Sequence, residues 1–384
     1  MMPEIAPVSD DLVRAAANTI REIAQQPTLW RQVPACVGPQ VARFVGDLLK
    51  EPGARIVLTG AGTSSFAGEV LAAPLRRALR RRVDAVATTD VVADPLGCFG
   101  EDVPTLLVSF ARSGDSPESV AAAELADQLL TDVRHVVLTC NPDGQLARQY
   151  GGRGTARIFT MPDGANDQGF AMTSSFTTMT LAALLALHPE CHADIATRIA
   201  DIGDAVLPGW DAGTQELSRR GYERVVYLGS GALKGLAHES ALKLMELTAG
   251  RVLAMGDSPL AFRHGPKSIL DDSTLVVVYL SNDPYTRAYD LDLFDELRQV
   301  RGGDHVLAVT ADHGDAVSAA TSWLLPDAHS LPDSALALPA VLFAQHLALH
   351  SSMARGLTVD NPFPGGEVNR VVQGVHIYGF GPER

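Results

Sequence analysis

Arg55–Gly62 reads RIVLTGAG: a run of apolar and β-branched residues, then a glycine turn, then a segment of helical character. Arg224–Gly231 reads RVVYLGSG, and the offset from Ile56 to Val225 is 225 − 56 = 169 residues. The next apolar run, TLLVSF from Thr105, is matched by TLVVVYL from Thr274, again at 274 − 105 = 169. A third, HVVLTC from His135, is matched by HVLAVT from His305 at 305 − 135 = 170. Three strand-like runs in one register are hard to obtain by chance and identify a duplicated unit. In each copy the apolar runs alternate with helical segments, the pattern of a parallel sheet covered on both faces. The expected fold class is α/β, with two tandem three-layer αβα domains.

A chain of 384 residues exceeds one ordinary core, which suits the duplication. The expected divisions are an N-terminal helical segment 1–45, a first domain 46–205, a second domain 206–354, and a tail 355–384 closing over the site. Residues 9–50 have helical periodicity, with Asp10 and Asp11 near the start. The Pro/Gly-rich tail, DNPFPGGEVNRVVQGVHIYGF, retains enough apolar residues to be ordered. A net charge of −14 argues against a nucleic-acid groove or an anionic membrane surface as partner. It leaves open a small phosphorylated ligand held by backbone N–H groups. Cys36, Cys98, Cys140 and Cys191 are far apart and form no CxxC pair, which fits reduced thiols rather than a disulfide frame or a zinc site. The N-terminal MMPEIAPVSDDLVRAAANTI lacks the basic-then-apolar order of a signal peptide, and the apolar stretch Thr178–Leu187 is short of a membrane span. A cytoplasmic location is expected.

Four motifs carry chemistry. In GAGTSSFAGE, Gly60–Glu69, small residues between strand and helix let backbone N–H groups approach an anion, and Thr63, Ser64 and Ser65 add hydroxyls. SFARSGDSPES, Ser109–Ser119, repeats this arrangement, with Pro117 early in a helix. Its bland reading is a plain N-cap by Asp115 or Ser116; two such turns on neighbouring strands fit one shared anion better. In AHESALKLMELTAG, Ala237–Gly250, Glu239, Lys243 and Glu246 are spaced i, i+4, i+7 on one helix face. That face is either a solvated one with a Glu–Lys pair or a catalytic one. In FRHGPKSIL, Phe262–Leu270, a histidine stands in a Gly-Pro turn between Arg263 and Lys267, and an imidazole titrating near ~6.5 suits proton transfer at a sugar hemiacetal. His192, His346 and His350 lack such context; no metal and no cofactor is expected.

GTSSFAGE, SFARSGDSPES and AMTSSFTTM (Ala171–Met179) resemble the three phosphate-loop segments of SIS (sugar isomerase) domains. The resemblance implies flavodoxin-like sheets, and a sugar 6-phosphate held by Thr63, Ser64, Arg112, Ser113 and Ser116 in turns that include Gly62, Ser65 and Gly114. It places Ser174 in the same pocket. The second copy has GSGALKG for GTSS and YLSNDPYTR for FARSGDSPE, so only the first copy is expected to bind phosphate. The third and fourth motifs are similar to the isomerase domain of glucosamine-6-phosphate synthase. That likeness implies Glu246 as base, Glu239 as a second candidate, and His264 as the ring-opening acid/base. In that family the histidine comes from a neighbouring subunit, which implies a homodimer or larger assembly.

Over about Arg21–Phe380 the chain most resembles AgaS-type galactosamine-6-phosphate deaminase/isomerases, on FRHGPKS and DNPFPGGEVNRVVQGV. The implied reaction opens the ring, moves a proton between C2 and C1, and hydrolyses the C2 imine to tagatose 6-phosphate and ammonia. The synthase itself would need an N-terminal nucleophilic cysteine and a C-terminal lysine; here the first cysteine is Cys36 and no lysine follows Lys267. Glucosamine-6-phosphate deamination, plain aldose–ketose isomerisation, and a non-catalytic sugar-phosphate sensor are the alternatives. An added DNA-binding domain, usual for such sensors, finds no room in the sequence.

Overall fold

The computed structural model describes residues 9–38, 40–312, 317–318, 321–372 and 374–381; the first eight residues of the expected N-terminal segment lie outside them. The chain forms two compact units, each assembled from separate stretches. One comprises Gln32–Asn166, Ser175–Ala193 and Val368–Arg384; the other comprises Met1–Arg31, Asp167–Ser174 and Asp194–Glu367.

The first unit is built on β1 (Arg55–Gly60), β2 (Val83–Ala87), β3 (Thr105–Phe110), β4 (Val133–Thr139) and β5 (Ala156–Thr160), all parallel in the order β2-β1-β3-β4-β5. β1 and β3 are buried at every residue, which is why they read as unbroken apolar runs rather than alternating ones. The order reverses between β1 and β3. At such a switch point the turns leaving two neighbouring strands diverge to opposite faces and open a crevice at the carboxyl ends. GAGTSS leaves β1 and ARSGDS leaves β3, so both hydroxyl-rich turns flank this crevice.

The second unit repeats the plan with β6 (Arg224–Gly229), β7 (Leu253–Asp257), β8 (Thr274–Tyr279), β9 (Val306–Thr310) and β10 (Ser322–Leu324) in the order β10-β9-β8-β6-β7. Read from β7, this is the same flavodoxin-like order, with its switch point between β6 and β8. Register is preserved too: Thr59 lies opposite Ser109, and their counterparts at +169, Leu228 and Val278, lie opposite each other. The turns after β1 and β6 share one backbone shape, with φ, ψ of 55°, −127° at Gly62 and 57°, −121° at Gly231. A positive φ of this kind is open to glycine and strained for other residues, which explains both GxG turns.

The longest apolar helix is Asp333–Met353 rather than the Thr178–Leu187 stretch singled out in the sequence. It is long and apolar enough to cross a membrane by length and composition, yet Ser334–Met353 is buried at every residue. A helix enclosed on all sides has no polar face and so shows no amphipathic period.

Residues 10–48 form four short helices, as the periodicity predicts. Among its described residues the tail has no regular element, and its first half has a definite task. Asp360 accepts from Asn18 N and Thr19 N, both at 2.9 Å, and from Thr19 Oγ1 at 2.7 Å, capping the helix Ala17–Ala24. Phe363 packs on Phe170 at 5.2 Å between ring centroids. The DNPFP motif is thus a clasp on the N-terminal helix of its unit. In the other unit, Phe380 O accepts from Gln128 Nε2 at 2.8 Å and Phe380 packs against that unit's apolar core.

Candidate functional site: a crevice with open donors and a buried Glu–Lys–Glu cluster

Thr63 and Ser64 are buried at the start of the helix Thr63–Leu79, and Ser65 donates its hydroxyl to Gly62 O at 2.8 Å. Across the switch point, Arg112 is buried and its Nη2 donates to Arg370 O at 3.1 Å, so the tail's second half lies on this turn. Ser116 occupies the N-cap position of the helix Pro117–Leu129, but its side chain makes no capping bond, and Asp115 accepts instead from Gln145 N at 2.9 Å. The plain N-cap reading therefore fails for both residues. Gly114, at φ 70°, packs so closely that an added Cβ would lie 3.2 Å from Gly144 Cα.

Polar atoms without a partner among the described residues occur at this end of the sheet. Thr59 Oγ1, Ser109 Oγ, Thr88 Oγ1 and Glu118 Oε2 are all buried and unmet. Thr59 and Ser109 end β1 and β3 side by side, Thr88 follows β2, and Glu118 lies in the first turn after ARSGDS. Buried polar atoms without partners are rare and call for an explanation. In the second copy the Thr59–Ser109 pair is replaced by Leu228 and Val278, which have no such requirement. Position-by-position comparison of the two repeats carries this signal; the motif reading passed over Thr59 and Ser109 because they sit inside apparent apolar strands.

In the other unit, the helix Ala232–Leu247 packs its Glu–Lys face inward. Glu239 and Lys243 are fully buried, and Glu246 retains 26% of its side-chain exposure, so the solvated-face reading is overturned. Lys243 Nζ lies 2.5 Å from Glu246 Oε2 and 3.6 Å from Glu239 Oε1. Burial alone would lower the Lys243 pKa; the charges of Glu239 and Glu246 and the hydrogen bond to Glu246 outweigh it and the net direction is upward. Asp167 adds to the same field. Its carboxylate is held by Thr173 N at 2.9 Å, Thr173 Oγ1 at 3.0 Å and Ser174 N at 3.0 Å. Beside it, Glu22 accepts from Gln168 N at 2.5 Å and Gly169 N at 3.1 Å, and burial followed by the charge of Asp167 raises its pKa. Lys243, Asp167 and Glu22 were not proposed as site residues from the sequence. Glu22 and Asp167 are far from Lys243 along the chain, and nothing local marks them.

Ser174 is grouped with this unit. Its hydroxyl donates to Glu22 O at 2.7 Å and accepts from Gln25 Nε2 at 2.9 Å, so its proton is not offered to a ligand. His264 is exposed on the turn between Pro259–Phe262 and the 3₁₀ segment Pro266–Ile269. The turn is fixed at both flanks by one carboxylate: Arg263 Nη2 lies 2.9 Å from Glu296 Oε2, and Lys267 pairs with Glu296 Oε1. His346 and His350 face Asp211, with His350 Nε2 at 2.8 Å from Oδ1 and His346 Nδ1 at 3.8 Å.

A doubly wound sheet with hydroxyl-rich turns at its switch point defines a phosphate-type crevice, and the family model of the SIS domain matches residues 48–189, which contain it. A Streptomyces coelicolor relative is 54% identical over 98% of both chains. The D-galactosamine-6-phosphate deaminase AgaS of Shewanella sp. is 42% identical, covering 94% of this chain and 92% of its own. The crystal structure of tagatose-6-phosphate ketose/aldose isomerase from Escherichia coli superposes with a TM-score of 0.86 at 40% identity, over 96% of this chain and 99% of that one. The chain belongs to the AgaS family of SIS-domain proteins.

Proposed function

We propose that the protein is an enzyme that converts D-galactosamine 6-phosphate and water to tagatose 6-phosphate and ammonia. Two relatives' names support the substrate class: the deaminase of Shewanella sp. and the isomerase of Escherichia coli. In this reading the turns Gly62–Ser65 and Arg112–Ser116 bind the phosphate ester through N–H groups and hydroxyls, with Thr59 and Ser109 behind them. His264 takes the O1 proton and returns one to O5, opening the ring. Glu246 removes the C2 proton and delivers it to C1 while one proton of the substrate ammonium passes to O1, leaving a C2 iminium that water cleaves to the ketone and ammonia, released as ammonium. Lys243 donates to Glu246 Oε2 and orients its carboxylate for the first transfer. Binding energy from the phosphate orients the reacting carbons.

The observation that carries deamination, rather than isomerisation of a neutral sugar, is the 42% identity to the named deaminase of Shewanella sp. over 94% of this chain. The carboxylates of Glu239 and Glu246 around Lys243 suit a substrate that carries an amine. We also propose that the chain acts in the cytoplasm as a homo-oligomer, with His264 serving a neighbouring subunit. Ammonia release from galactosamine 6-phosphate, glucosamine 6-phosphate and their N-acetyl forms tests the reaction. Release should be fastest from the galactosamine ester; release from none of them refutes the proposal.

A further inference from the structure

The second switch point keeps the backbone frame of the first, with the same sheet order and the same glycine conformation at Gly231 as at Gly62. Its contents differ. Asp290, on the helix Pro284–Arg301, is fully buried at this crevice. Its Oδ1 accepts from Ser230 Oγ, in the turn after β6, at 2.5 Å, and its Oδ2 accepts from Ser281 N, in the turn after β8, at 3.0 Å. One carboxylate therefore bridges both turns of the switch point, where a shared anion would sit. The following N–H groups are also satisfied from within: Asn282 N donates to Asp333 Oδ1 at 2.8 Å, and Asp283 N to Ser281 Oγ at 3.0 Å.

At the positions matching Asp290, the first copy has no carboxylate. Its counterpart helix is Pro117–Leu129. Aligned on the two prolines, position 290 corresponds to 290 − 167 = 123; aligned on the strands, it corresponds to 290 − 169 = 121. Ala121, Ala122 and Ala123 occupy that whole interval and are buried. Whichever register applies, a methyl group stands where the second copy places a carboxylate. A buried carboxylate is costly unless donors meet it. Here burial is the main influence raising the Asp290 pKa, to about 6, partly countered by Ser230 and by Ser281 N–H; Asp333 raises it further and Arg287 lowers it.

We propose that the second crevice is an oxyanion-binding site closed from within, with the Asp290 carboxylate as its resident anion. Each chain consequently accepts a single phosphate ester, and in one sense only. The ligand class of the opened site is a small carboxylate or oxyanion. The likeness to the first crevice rests on the phosphate reading given above, but the test does not, because it reads only the second crevice.

The test is chemical rescue. Asp290→Ala leaves a space the size of formate. At pH 7.5 and constant ionic strength set with chloride, sodium formate should raise the melting temperature of Asp290→Ala saturably. The rise should be roughly 2–3 °C at ten times the dissociation constant. Wild type and the isosteric Asp290→Asn, whose crevice stays filled, should not respond. If Asp290→Ala does not fold in chloride, formate-dependent refolding of Asp290→Ala or Asp290→Ser supports the same conclusion. Absence of a formate effect on both variants, or an equal effect on Asp290→Asn, overturns it. Ammonia release and formate rescue can each fail with the other intact, so the two proposals are separable.

Discussion

Lys243→Met removes the cation shared by the buried Glu239 and the part-buried Glu246 while keeping most of the side-chain volume. At separations of 2.5 and 3.6 Å and an effective dielectric of ~20, Coulomb attraction to Glu246 and Glu239 is roughly 7 and 5 kcal/mol. Most of that replaces lost hydration, so the net value of the cluster is small; the cost of leaving its carboxylates without the cation is about 3–5 kcal/mol. Two readouts follow. The urea midpoint, followed by far-UV circular dichroism, should fall. The kcat should fall as well, because Glu246 loses the donor that orients its carboxylate. Adding Glu239→Gln to Lys243→Met should recover part of the lost stability by removing one uncompensated charge. A Lys243→Met protein with the wild-type urea midpoint and the wild-type kcat would refute the reasoning.

Two further outcomes are expected. Glu246→Gln and His264→Asn should each abolish turnover, yet co-assembly of the two variants should restore about a quarter of wild-type activity if His264 serves a neighbour in a two-fold dimer; no recovery from a verified hybrid assembly would assign both residues to one chain's site. His346 has its pKa lowered from 6.5 to about 4, chiefly by burial. A base with a depressed folded value stabilises the fold above its unfolded pKa and loses that contribution as pH falls from about 6.5 through 4, here about 3 kcal/mol. His346→Leu should flatten that acid loss in urea titrations at pH 7 and pH 4.5, and an unchanged difference between the two would exclude His346 as its source.

Much of the fold was legible because parallel strands enclosed on both faces must be continuous apolar runs, and a duplication writes them twice. The turns Gly60–Ser65 and Ala111–Ser116 were legible for a related reason: glycine and hydroxyl residues at strand ends have few other purposes. The clasp of Asp360 on Thr19 was not, since 341 residues separate them and a lone aspartate carries no local period. The inward turn of the Glu239–Lys243–Glu246 face was equally hidden. Spacing shows that three side chains share a face, and only tertiary packing shows whether water covers it. The apolar helix Asp333–Met353 escaped notice for the opposite reason: it has no face to distinguish.

The clasp also bears on synthesis. The helix Ala17–Ala24 leaves the ribosome early, while its capping carboxylate, Asp360, emerges on the order of tens of seconds later at ordinary elongation rates. Through that interval the helix lacks its N-terminal acceptors, and a side-chain cap of this kind contributes about 1 kcal/mol. The earliest-made segment is therefore among the last to be secured. A nascent chain stalled before Asp360 would present an unfinished unit to the quality-control machinery of the cell, and a chain that has passed it would not.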